Sequence, residues 1–132
     1  MTWLVFPLIL CAALPAFAQT GAQTGEIALP SGRVVTWHDT IRDEGGTYRV
    51  RFLEPDLAMV TEVFAPERIE ADMRHLCEAE ALPRLETAPE RPERVVISIA
   101  DRPVPFGETN PEAAQVFEAY RVEGGACIWE GF

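Results

Sequence analysis

Apolar and polar residues alternate along residues 33–42 and again along 47–53, with the period of two that marks a half-buried strand. Asp43-Glu44-Gly45-Gly46 between them reads as a hairpin loop. Counting outward from it pairs Trp37 with Phe52 and Ile41 with Tyr48 on an apolar face. On the polar face it pairs His38 with Arg51 and Thr40 with Arg49. In this register Asp39 falls among Trp37, Ile41 and Val50. Residues 57–64 are ambiguous: Met59, Val60 and Val63 fit a short strand. The period then becomes helical. Pro66 stands at a favoured first-turn position, and Ile69, Met73, Leu76 and Cys77 make a buried stripe. The pairs Arg68/Asp72 and Glu70/Arg74 lie on the wet side of that helix, which is expected to end near Leu82, before Pro83.

Residues 94–100 form the strongest strand pattern. Val95, Ile97 and Ile99 face one way, and Val96, Ser98 and Ala100 the other, as expected of a central strand. A Pro- and Gly-punctuated loop covers 101–110. A second helix is predicted from Pro111, capped by Asn110 or Thr109, with residues 109–112 matching a capping box and Ala113, Val116, Phe117 and Tyr120 as its buried stripe. Gly124-Gly125 then turns a closing hairpin that pairs Val122 with Cys127 and Tyr120 with Trp129. The pattern predicts an α+β domain: a mostly antiparallel sheet with two helices packed on one face and one disulfide.

The first 18 residues differ from all of this. WLVFPLILCAALPAFA (3–18) is uncharged, broken by Pro7 and Pro15, and shorter than the roughly 20 apolar residues of a spanning helix. It ends in Ala16-Phe17-Ala18, a small-x-small cleavage site, so residues 1–18 read as a secretory signal peptide. An uncleaved anchor is the alternative. Residues 19–26 then form a flexible leader, and 27–132 a single domain with no membrane span. All 11 basic residues are Arg and lie after the signal, against 21 acidic ones, giving a net charge of −10. That charge argues against a nucleic-acid partner.

Cys11 leaves with the signal, so Cys77 and Cys127 remain in an oxidising compartment. Two separate periodicities aim both at the core, which predicts a disulfide closing a loop of about 50 residues. CxxC spacing is absent, and no His sits at ligand spacing from either cysteine, so neither redox chemistry nor a metal is expected of them.

DMRHLCEAEALPRL (72–85), VVISIADRPVPFG (95–107) and FEAYRVEGGACIWEGF (117–132) give the chain its resemblance to an uncharacterised family, a domain of unknown function of small exported proteins from Rhodobacter-type alphaproteobacteria. The resemblance implies export and paired cysteines. It brings no activity, cofactor or catalytic residue.

No catalytic motif stands out: there is no GxSxG elbow, no HExxH and no phosphate loop. His38-Asp39 is a weak ligand pair, because adjacent strand residues point to opposite faces. Three features remain. His38, Arg49 and Arg51 make a cationic stripe that could hold a carboxylate or phosphate. Asp39, if buried, would have a raised pKa, unless a bulge turns it to solvent. The 101–110 loop, with Asp101 and Phe106, is a candidate contact surface. The reading is therefore a periplasmic or secreted, non-enzymatic binding or accessory module without metal or cofactor, whose partner is unknown and could be another envelope protein. The alternatives are a small hydrolase using Asp39 or Asp101, and a structural component of an envelope complex. An enzyme should gather perturbed ionisable groups in a pocket; a binding module should expose an apolar patch.

Overall fold

A computed structural model describes residues 25–131. The signal peptide and most of the leader expected from the sequence lie outside them. The strands are β1 (Glu26–Ala28), β2 (Val34–Arg42), β3 (Thr47–Leu53), β4 (Arg94–Ala100), β5 (Gln115–Glu123) and β6 (Ala126–Glu130). They form one sheet in sequential order, curled into a half-barrel. Every neighbouring pair is antiparallel except β3 and β4, which run parallel. A parallel pair needs a long crossover. Here it is helical: α1 (Leu57–Val63), α2 (Pro66–His75), a π turn (Leu76–Ala81) and α3 (Leu82–Arg84).

Alternation places Tyr48, Val50 and Phe52 of β3, Val95, Ile97 and Ile99 of β4, and Tyr120 and Cys127 of the last hairpin in one core. Met73, Leu76, Cys77, Ala81 and Leu85 of the helical run join the same cluster. From Met73 to Leu85 a regular helix would drift about 120°, at about 100° per residue. The wider π turn offsets that drift and keeps Cys77, Ala81 and Leu85 on the core side. It also precedes Pro83, which has no N–H to give the Ala79 carbonyl. The helix therefore continues past the expected stop to Arg84. The Cys77 and Cys127 sulfurs stand 2.06 Å apart, joined as a disulfide across a sequence separation of 50.

Three expectations are corrected. Residues 57–63 are helical, not a strand: Leu57 and Val60, one turn apart, are buried, while Met59 and Val63 are exposed. The second helix is absent. Residues 115–123 instead pair with β4 along its whole length, and only a short turn precedes them, where the Asn110 side chain accepts the Glu112 N–H at 3.0 Å. Asp72 is not on a wet face. It is buried, accepting the Ser31 N–H at 3.1 Å, the Ser31 hydroxyl, and Arg33 Nη1 at 3.1 Å. The same buried Arg33 grips Glu54 with Nε and Nη2. Arg68, the expected partner of Asp72, lies instead 5.6 Å from the Phe64 ring centre.

Candidate functional site

The register of β2 against β3 shifts between Trp37 and Asp39. Trp37 still faces Phe52, but Asp39 opposes Arg51, Thr40 opposes Val50 and Ile41 opposes Arg49. His38 is the extra residue of a β-bulge. The bulge moves Asp39 off the core face and onto Arg51, which corrects the expectation of a buried carboxylate among Trp37, Ile41 and Val50. Arg51 Nε and Nη2 donate to Asp39 Oδ1 and Oδ2 at 2.6 and 2.5 Å. These bonds hold the Asp39 carboxyl below its ordinary range, against a smaller opposing effect of burial. The shift runs opposite to the one burial alone would give.

β3 sends alternate side chains to the face away from the core, so Arg49 and Arg51 share it. There the 101–114 loop folds over the sheet. Arg51 Nη1 donates to the Val104 carbonyl at 2.6 Å, fixing the loop to β3. The Arg49 guanidinium lies 5.3 Å from the Phe106 ring centre. Its Nε donates to Asp43 Oδ2 at 3.3 Å, and Asp43 is lowered first by the Glu44 backbone N–H and next by Arg49. Between loop and sheet lies a cavity of about 210 Å³. His38, Arg49, Arg51 and Phe106 all border it, with Ser98 and Phe117 from the neighbouring strands. The cationic stripe and the contact loop, separate features of the sequence, thus meet at one place.

A family model described as a family of unknown function (DUF6497) matches residues 10–132. The chain belongs to that family. No curated protein and no solved structure matches it.

In this DUF6497 chain Asp101 stays behind the cavity rim. Arg102 Nε and Nη2 donate to its two oxygens, both at 3.0 Å, and lower its pKa. Arg102 itself reaches the cavity, as does Glu108. Sequence reading missed both, since neither belongs to a motif. It also missed the buried Arg33–Glu54–Asp72 group, whose three members lie far apart along the chain. Among the described residues no group of three or more His, Cys, Asp or Glu is arranged to hold a metal ion. His38 and Ser98 border the same cavity, but no hydrogen bond joins them. The arrangement can hold an anion: guanidinium groups on one wall, an aromatic ring beside them, and room for a small group. Among the described residues no helix is long and apolar enough to cross a membrane.

Proposed function

We propose that this DUF6497 protein is an exported, non-enzymatic binding module. It captures an anionic group, a carboxylate or phosphate, in the cavity beneath the 101–114 loop. One observation carries the reading: Arg49, stacked on Phe106, shares that cavity with His38, Arg51 and Arg102. Guanidinium groups suit carboxylate and phosphate because their N–H donors form a planar fork. The direction of the pKa shifts argues against either Asp39 or Asp101 as a general acid. Asp39 and Asp101 are held ionised by arginines, whereas a general acid needs a raised value. Export rests on the 3–18 segment, and the bonded cysteines are compatible with an oxidising compartment.

Calorimetric titration of the full chain with acetate, benzoate and inorganic phosphate tests the site. At least one should bind, benzoate more tightly than acetate if Phe106 contributes. Arg49→Gln should weaken binding about tenfold, the loss of one hydrogen bond to a charged group. Unchanged binding in Arg49→Gln, or none of the three anions binding, would sink the reading. Affinity purification of the tagged chain from its native envelope, followed by mass spectrometry, then identifies what carries the anion.

A further inference from the structure

On the core face, where α2 passes the closing hairpin, lies a second cavity of about 260 Å³, bordered by Glu70, Arg74, Tyr120 and Trp129. Tyr120 and Trp129 are direct cross-strand partners on β5 and β6. Tyr120 is 2% exposed, yet among the described residues its hydroxyl bonds to no group of the chain. No fully buried side-chain oxygen among them lacks a partner, so this phenol oxygen opens on the cavity. No group among the described residues partners this oxygen, so it is free to bond a ligand in the cavity.

The other walls indicate what that ligand is. The Trp129 indole N–H donates to Glu118 Oε2 at 2.6 Å, fixing the ring. Gly131 lies against the ring: a Cβ there would stand 3.1 Å from it. Trp129 is nonetheless half exposed and borders the cavity. Burial first, then the charges of Glu118, Glu70 and Glu78, keep the Tyr120 hydroxyl protonated, with Arg74 opposing the carboxylates. Glu70 borders the cavity and Glu118 is bonded to the ring that borders it, against one guanidinium, that of Arg74. Arginines elsewhere stack on Phe64, Phe106 and Trp37, but among the described residues none lies over Trp129.

We propose that this cavity binds a primary ammonium group, which lies against the Trp129 ring, donates an N–H to the Tyr120 oxygen and has its charge met by Glu70 and Glu118. An anion would face the Glu70 and Glu118 carboxylates. A quaternary ammonium would leave the phenol unpartnered, since it has no N–H to give. The attraction of a cation to an indole face is strongest where water is partly excluded, as it is beside a buried tyrosine. The chain's net charge of −10 draws cations from a distance. Two sources carry this chemistry, a free alkylamine and the lysine side chain of another protein.

The test follows the Trp129 indole N–H signal of the ¹⁵N-labelled full chain by NMR. The probes are n-butylammonium chloride, the tripeptide amide Ac-Gly-Lys-Gly-NH2 and tetramethylammonium chloride. Butylammonium should shift the signal in a saturable way and bind more tightly than tetramethylammonium. Tighter binding of the tripeptide than of butylammonium supports the proposal and assigns the group to a protein. Equal affinities support it and assign a free amine. Tyr120→Phe should weaken butylammonium about tenfold, the loss of one hydrogen bond to a charged group. Arg74→Gln, at an exposed position that should leave the fold intact, should tighten it about threefold by removing the competing cation. An absent shift, tetramethylammonium binding as well as butylammonium, or an Arg74→Gln variant that binds no better would overturn the proposal. Should Tyr120→Phe fail to fold, the Arg74→Gln result decides.

Discussion

Arg51 holds two neighbours at once, the Asp39 carboxylate and the Val104 carbonyl, and so fixes both the bulge of β2 and the loop that roofs the first cavity. The Asp39 side of this contact is pH-dependent. A carboxyl whose pKa is lower in the folded state than in the unfolded chain stabilises the fold above the unfolded value, about 3.9 for Asp. That stability disappears as the pH falls through the lower, folded value. The Asp39 side chain is 36% exposed, so solvent screening keeps the contribution near that of a surface pair, about 1 kcal/mol. Asp39→Asn should therefore cost about 1 kcal/mol at pH 7, and the difference from the parent should shrink as the pH falls below about 3.9. Urea unfolding at several pH values checks this; a difference constant with pH would mean that the charge of Asp39 is not what matters. The grouping of His38, Arg49 and Arg51 on one face was legible in the sequence; that Asp39 joins Arg51 was not. A bulge is one extra residue that alternation cannot reveal, and it set every pair after Trp37 one position off.

Three elements meet on Arg33. It follows the turn after β1, reaches Glu54 at the end of β3, and reaches Asp72 in the middle of α2, itself bonded to Ser31 of that turn. All three charged groups are buried. One cation facing two carboxylates away from water is tolerable only because each carboxylate oxygen and each guanidinium nitrogen has a partner. Arg33→Met should lower stability by about 3–5 kcal/mol, since it leaves two carboxylates buried without a cation. Chemical denaturation measures it, with Arg68→Met, an exposed position on the same helix, as the comparison. A loss no larger than that of Arg68→Met would refute the account. The sequence placed Asp72 on a wet face because i,i+4 spacing to Arg68 offered a local partner, and the real partners lie about 40 positions away. The same limit explains β5. Val116 and Tyr120 are four apart, which serves a helical stripe and a strand face equally, and Pro111 with Asn110 resembled a helix start. What decides is the exposed edge of β4, whose backbone groups need a ladder partner, and no local pattern reports that. Where no such competition arose, at β4 and at the Gly124-Gly125 hairpin, pattern and structure agree residue for residue.

On the scale of the molecule, the disulfide closes what the sheet leaves open. Cys77 sits in the π turn of the crossover and Cys127 in the last strand, so the bond fastens the helical run to the far end of the sheet, with β4 and β5 inside the loop. Both sulfurs lie in the core, which shields them from reductants and aligns them without help from a flexible segment. In the chain-entropy model a loop of this length contributes about 4 kcal/mol by restricting the unfolded chain. A domain of this size has about 5–15 kcal/mol in all. Its core must also offset the mutual repulsion of a chain with net charge −10. Replacing both cysteines with alanine should therefore lower the unfolding free energy by about 4 kcal/mol while preserving the cavities in whatever fraction stays folded. The bond is also compatible with the proposed address, since disulfides are rare where thiols are continuously reduced. Rapid alkylation of intact cells, followed by mass measurement of the chain, should find Cys77 and Cys127 unmodified before reduction and both modified after it. Two modified thiols before reduction would refute the bond in the native protein and count against the export proposed from the 3–18 segment.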